Sequence, residues 1–210
     1  MLKRLKVQLA ALLVALVAMV SGAPAQAANL DALDLENTLY LQLKTGRVVI
    51  AMRSDLAPKH VERIKELVRA NFYDGIKFHR VIPGFMAQTG DPYGDGTGGS
   101  GVNLPAEFSR ARHLRGTVSM ARANDPDSAD SQFFICFGPA RHLNGQYTVW
   151  GRVVDGMHHI DAIKKGKGSG GTVGPDADRI VAMRVAADVE DGTVELPRKL
   201  PKGYKGPYER

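Results

Sequence analysis

From residue 39 the apolar positions alternate. Leu39, Leu41 and Leu43 are separated by Tyr40 and Gln42, the period of two that marks a half-buried strand. Lys44-Thr45-Gly46-Arg47 supplies a turn and 48–52 an apolar return run, so 39–53 predicts a hairpin. The period then changes. After Ala57-Pro58, which suits a helix with proline in its first turn, Val61, Ile64, Leu67 and Val68 recur at helical spacing. Strands are predicted again over 116–121, 131–137, 147–154 and 179–189. A short helix over 156–165 turns Met157, Ile160 and Ile163 inward, and 166–174 is a flexible glycine-rich connector. The stretch FHRVIPGFMAQTGDPYGDGTGG, 78–99, is extended from His79 to Gln88 and bends at Pro83-Gly84. Periodicity alone describes a β-rich domain and no more.

The two ends read differently. A chain of 210 residues suffices for one well-buried domain with additions. Lys3, Arg4 and Lys6 precede an apolar run over 9–20, and Ala25-Gln26-Ala27 places small residues where a signal peptidase inspects them, so 1–27 is expected to be a secretory signal peptide. An uncleaved anchor is the alternative, since no charge falls between Val7 and Leu30 and about 20 apolar residues span a bilayer. Ser21-Gly22 and Pro24 end the apolar core early and favour cleavage. Residues 28–37 form a linker and 38–189 the domain. The tail 190–210, basic and rich in Pro and Gly, is expected to be disordered or ordered only on contact.

Several chemistries are set aside by what the sequence does not bring together. Loss of Lys3, Arg4 and Lys6 takes the formal charge from +6 to +3, too mild for the clustered basic stripe of a nucleic-acid binder. Cys136 is the one cysteine, so an intramolecular disulfide is impossible. It reads as a small core residue, with pairing between chains as the alternative. The six histidines lack metal-ligand spacing, and His158 and His159, adjacent on a helix, are expected to point apart. The run 94–99 is not followed by a helix, as a phosphate-cradling loop requires. It suits close approach of a bound peptide instead. No G-x-S-x-G elbow is present, and Asp125 and Asp127 read as turn residues. Neither a metal nor another cofactor is expected.

In 78–99 an extended path puts Arg80 and Gln88 on one surface, beside the apolar pair Phe85 and Met86. That describes a shallow greasy pocket with a fixed charge and an amide at its edge. With FHRVIPGFMAQTGDP, GTGG, SMAR, SQFFI and LNGQYTVWG occurring in order, the chain resembles the cyclophilin family of peptidyl-prolyl cis-trans isomerases in its bacterial exported form, over about 39–189. The resemblance implies a closed eight-stranded antiparallel barrel capped by two helices. It also implies rotation about X-Pro bonds as the activity, proline-containing unfolded or folding polypeptides as partners, and the periplasm as location. A monomer without nucleic-acid partners or stable membrane insertion is expected.

Matched residue by residue, the resemblance makes Arg80, Phe85 and Gln88 catalytic. Met86, Gly96, Ala121, Arg122, Ala123, Gln132, Phe134, His142, Leu143 and Tyr147 become substrate-binding. From the residues alone Phe134 and Leu143 read as barrel core. The chain departs from the eukaryotic pattern in carrying His142 in place of a rim tryptophan, Tyr147 in place of histidine and Arg122 in SMAR in place of SMAN. The first two alter the rim and hence ligand choice, including the cyclosporin that many eukaryotic members bind. The rival reading is a module that holds proline segments without turnover. Arg80, which such a binder could lose, favours the enzyme.

Overall fold

The computed structural model describes residues 32–201 and 204. The signal peptide expected from the sequence and the first four residues of the linker, 28–31, lie outside them, as does the end of the tail.

The predicted hairpin forms as β1, Thr38–Leu43, and β2, Gly46–Met52, paired antiparallel with Leu43 opposite Gly46. Leu39, Leu41 and Leu43 enter the main core, but Tyr40 and Gln42 are buried too, because the outer face of β1 is also covered. The helix predicted after Ala57 is α1, Pro58–Arg69, and it packs its buried face of Val61, Ile64, Leu67 and Val68 against the last strand. Its first turn has no side-chain cap of its own. Glu107 supplies one from a distant loop, accepting from Lys59 N at 3.1 Å and His60 N at 3.0 Å, the two orphan donors that such a turn leaves.

The remaining strands are β3, Arg80–Ile82; β4, Met86–Thr89; β5, Thr117–Met120; β6, Phe133–Cys136; β7, Val149–Asp155; and β8, Ala182–Val185. All eight join one antiparallel sheet in the order β3-β4-β6-β5-β7-β2-β1-β8. The sheet curls around Trp150, Phe133, Phe78 and Tyr73, each fully buried. It does not close as the resemblance implied. β3 and β8 are free edges with no ladder between them. Among the described residues they are linked through the segments that precede them, where Phe78 N donates to Asp178 O at 2.8 Å and Ile180 N to Ile76 O at 2.9 Å.

Two elements differ from the sequence reading for one reason, the length of β8. The expected strand 179–189 stops at Val185, and the chain continues as α3, Ala186–Glu190, against β1. Three α-helices are therefore present among the described residues, the other being α2, Met157–Asp161, shorter than the predicted 156–165. On α2 the rings of His158 and His159 do not point apart: their centroids are 3.9 Å from each other. The tail is docked as far as it is described. Leu196 packs with Tyr40, Val49 and Ala186, and the Tyr204 hydroxyl donates to Asp74 O at 2.8 Å.

Candidate active site

β3 and β4 form a hairpin whose turn, Pro83-Gly84, follows from the residue types. Proline fixes φ at the first corner, and Gly84 takes φ +72° at the second, where a side chain would be strained. The turn closes with Phe85 N donating to Ile82 O at 3.1 Å. Arg80 and Gln88 then lie directly opposite each other. Nη1 of Arg80 donates to Gln88 Oε1 at 3.2 Å and its Nε to Gly170 O at 3.0 Å, while Nη2 has no hydrogen-bond partner among the described residues. A guanidinium only donates, so Gln88 must turn its oxygen toward it. Its amide nitrogen therefore goes to Gln132 Oε1 at 2.9 Å, and Gln132 Nε2 in turn donates to Gly96 O at 3.0 Å and Gly98 O at 2.8 Å.

The carbonyl that holds Arg80 comes from the glycine-rich run. This segment is pinned along the free edge of β3, with Val81 N donating to Gly171 O at 2.7 Å and Val173 N to His79 O at 2.9 Å. A Cβ on Gly171 would lie 2.4 Å from Ile82 Cγ1, so only glycine permits that approach. The edge is thus covered and a catalytic-type side chain positioned by one segment.

Strand alternation builds the pocket floor. On β6, Phe133 and Ile135 enter the main core, whereas Phe134 and Cys136 point outward to a second apolar cluster with Met86, Ala140 and Leu143. Phe85, Ala121 and Tyr147 pack on its rim. Tyr147 meets Phe134 edge-on with centroids 5.9 Å apart, and His113 stacks against Phe134 at 6.1 Å. His113 is buried, which depresses its pKa, and its Nε2 lies 3.1 Å from Ser119 Oγ. His142 is exposed and contacts Phe85 with centroids 5.3 Å apart. Burial pushes the Cys136 thiol up to about 12, which removes it from nucleophilic chemistry.

These residues enclose a cavity of about 520 Å³. Arg80, Phe85, Met86, Gln88, Gly96, Ala121, Arg122, Phe134, His142, Leu143 and Tyr147 line it together. Gln132 and Ala123 do not: Gln132 stands behind Gln88 and ties it to the glycine loop, and Ala123 lies exposed with its N–H donating to Ser128 Oγ at 3.0 Å. The Arg122 side chain bonds to the carbonyls of Ala123, Asn124 and Gln146 and sits 4.7 Å over the Tyr147 ring, joining the two loops that flank the pocket.

Sequence reasoning missed His79, Gly94, Asp95 and Thr172, which also line the cavity, and Asp91, whose buried carboxylate accepts from Tyr93, Asp95 and Gly96 N–H groups and shapes the glycine loop. Both ring nitrogens of His79 are buried without a hydrogen-bond partner among the described residues, and burial depresses its pKa. Asp91 carried a usable signal as an acid set just before Pro92 and the glycines. Thr172 carried none. Among the described residues, no three metal-ligating side chains converge, and no helix is long and apolar enough to cross a membrane.

The arrangement is that of a site that binds and polarises without a nucleophile. Comparison with known proteins finds relatives in both sequence and fold. Residues 38–185 match the family described as cyclophilin type peptidyl-prolyl cis-trans isomerase/CLD. A protein of Brucella suis named "Probable peptidyl-prolyl cis-trans isomerase" is 51% identical over 172 residues, covering 76% of this chain and 88% of its own. A Helicobacter pylori peptidyl-prolyl cis-trans isomerase is 41% identical over 139 residues, 63% of this chain and 85% of its own. Among solved structures, a cyclophilin of Hirschia baltica superposes with TM-score 0.66 at 27% identity, covering 74% of this chain and 76% of its own. A Cryptosporidium parvum cyclophilin type isomerase, solved in the presence of the dipeptide ala-pro, superposes with TM-score 0.64 at 27% identity, covering 70% of this chain and 98% of its own.

Proposed function

Because this chain belongs to the family of cyclophilin-type peptidyl-prolyl cis-trans isomerases, we propose that it speeds the folding of exported proteins by rotating their X-Pro bonds, with Arg80 as the polarising group. The observation that carries the reading is the state of Arg80. Two of its nitrogens are fixed by Gly170 and Gln88, and the third is left to donate at the mouth of an apolar pocket.

The bond before proline resists rotation by about 18 to 20 kcal/mol because the nitrogen lone pair is delocalised into the carbonyl. A donor aimed at that nitrogen localises the lone pair and favours the twisted state. Such a charged hydrogen bond contributes about 1.5 to 3 kcal/mol, roughly ten- to a hundredfold in rate. The rest is assigned to the pocket. Phe85, Met86, Phe134 and Leu143 grip the proline ring and exclude water, and the twisted amide, having lost resonance, gives up less on leaving water than the planar one. Gln88, its oxygen engaged by Arg80, holds the guanidinium in register and offers its amide edge to the peptide backbone. Gly96, held by Asp91, would let a client backbone pass close by.

The exported location rests on the amino-terminal sequence, and action as a monomer in the periplasm is part of the same proposal. Arg80→Ala tests the reading. Exchange of an Ala-Pro peptide measured by NMR should fall at least tenfold in kcat/KM while the melting temperature stays within about 2 °C, since Arg80 is only half-buried. Full activity in a folded Arg80→Ala protein would return the chain to the class of proline-binding modules.

A further inference from the structure

We propose that the arginine-rich face beside the pocket is a subsite for acidic stretches of the client polypeptide whose proline the pocket holds. This rests on the isomerase reading and adds to it the chemistry of the preferred client.

Two adjoining cavities form the face. One, of about 500 Å³, has Arg112, Leu114, Pro139 and Arg141 in its wall, and the other, of about 480 Å³, has Arg53, Arg110, Arg112 and Arg152. They share Arg112 and Leu114, and neither wall contains an Asp or Glu. No period or motif marks this cluster, because its members come from the 110–115 loop, the 3-10 turn Arg141–Leu143, β7 and, for Arg53, the residue after β2. The mild net charge conceals a local concentration.

Pairing separates four of these arginines, Arg110, Arg112, Arg141 and Arg152, from Arg53 in the same wall and from several arginines elsewhere in the fold. Arg69 is bonded to Glu36 and Asp188, Arg115 to Asp161, Arg184 to Asp74 and Arg53 to Asp55. Arg110, Arg112, Arg141 and Arg152 are exposed, and their side chains have no hydrogen bond or ion pair among the described residues. Clustered cations without counter-charges repel one another and hold a positive potential, which an anion relieves. Guanidinium groups in particular match carboxylates two bonds at a time.

The shape favours a polypeptide. The cavities are concave and each has room for several side chains, with Leu114 and Pro139 giving apolar contact, whereas a bilayer presents a flat surface. No Phe, Tyr or Trp lines either one, so unpaired bases would find no stacking platform. The face also shares a wall with the catalytic pocket. A 3-10 turn has about three residues per revolution, so consecutive side chains diverge. Arg141 lines the basic cavity while His142 and Leu143 line the pocket. An extended chain advances about 3.3 Å per residue, so a few residues carry it from one to the other.

The test compares peptides of about ten residues around one Ala-Pro, carrying Asp-Glu-Asp either before or after it, with Asn-Gln-Asn versions of each. With the unaltered protein at low salt, one acidic peptide should show about tenfold higher kcat/KM than its neutral twin, through KM, and added salt should erase the difference. Arg112→Gln with Arg141→Gln should abolish the preference and leave the neutral peptides unchanged, and Arg112→Glu with Arg141→Glu should reverse it. Equal rates on all four peptides with the unaltered protein, or a preference that survives both double variants, overturns the proposal. So does binding of phosphatidylglycerol vesicles or a single-stranded oligonucleotide that depends on Arg112 and Arg141 when no peptide preference exists. If no peptide is isomerised at all, the isomerase reading has failed instead. Anisotropy of the labelled acidic peptides with the unaltered and Gln-substituted proteins then decides the face separately.

Discussion

At the scale of single residues, the proposed roles separate the part of the pocket that would rotate the bond from the part that would choose the ligand. Arg80, Phe85 and Gln88 sit on one short hairpin and are fixed by its turn and ladder, so their placement does not depend on the rim. His142 belongs to the rim. It is exposed on a 3-10 turn and touches only the edge of the pocket, through Phe85. In the family pattern a tryptophan there gives cyclosporin a broad apolar face and an indole donor, and histidine offers less apolar area and a ring that costs more to dehydrate. The protein is therefore expected to be an active isomerase that cyclosporin inhibits weakly. His142→Trp should strengthen inhibition tenfold or more, about 1.4 kcal/mol, with kcat/KM on a short peptide changed less than twofold. Inhibition titrations of the two proteins on one substrate check it, and tight inhibition of the unaltered protein would show that the rim residue does not decide affinity.

At the scale of elements, position is repeatedly fixed by partners remote in sequence. α1 depends on Glu107, whose carboxylate accepts from two N–H groups of its first turn and lies 2.6 Å from His60 Nδ1. Glu107→Ala leaves those donors unpaired in a partly buried place, a cost of about 1 to 3 kcal/mol that corresponds to a Tm lower by roughly 3 to 10 °C. Since Glu107 does not line the pocket, kcat/KM should be unchanged. Calorimetry and peptide exchange measure the two, and an unaltered Tm would mean that water caps the helix equally well. The same remoteness explains which parts of the fold the sequence disclosed. The β1-β2 hairpin and α1 were legible because each carries its own period. The facing of Arg80 and Gln88 was legible because alternation and Pro83-Gly84 are local. The path of 166–174 was not, since glycines show no period and the order of that segment comes from backbone bonds to β3. Nor was α3, where Ala186, Ala187 and Val189 extend the apolar positions of the strand and the end of the β1 ladder at Val185 marks the stop.

At the scale of the whole molecule, an open sheet needs its outer surface and edges covered by something other than strands, and the tail supplies part of that cover. β1 is buried on both faces, and on the outer one Tyr40 and Val49 are met by Ala186, with Val189 and Leu196 packed alongside. Tyr40 Oη also donates to Glu190 Oε1 at 2.8 Å. Further on, Tyr204 places its ring over Gly75 and its hydroxyl on Asp74 O, at the approach to the β3 edge. None of these residues lines the cavity proposed to be catalytic. Ending the chain after Asp191 should therefore remove apolar cover without touching the chemistry. Loss of the Leu196 and Tyr204 contacts exposes roughly one to two side chains' worth of apolar surface, about 1.5 to 4 kcal/mol as an upper bound. For a domain of this size that lowers Tm by about 3 to 12 °C. The expected outcome is a truncated protein that melts earlier yet isomerises a short Ala-Pro peptide with kcat/KM within twofold of the full chain. An unchanged Tm would mean that the tail does not pack on β1 in solution, and a large fall in kcat/KM at a temperature where the shortened protein remains folded would mean that the tail shapes the pocket from behind.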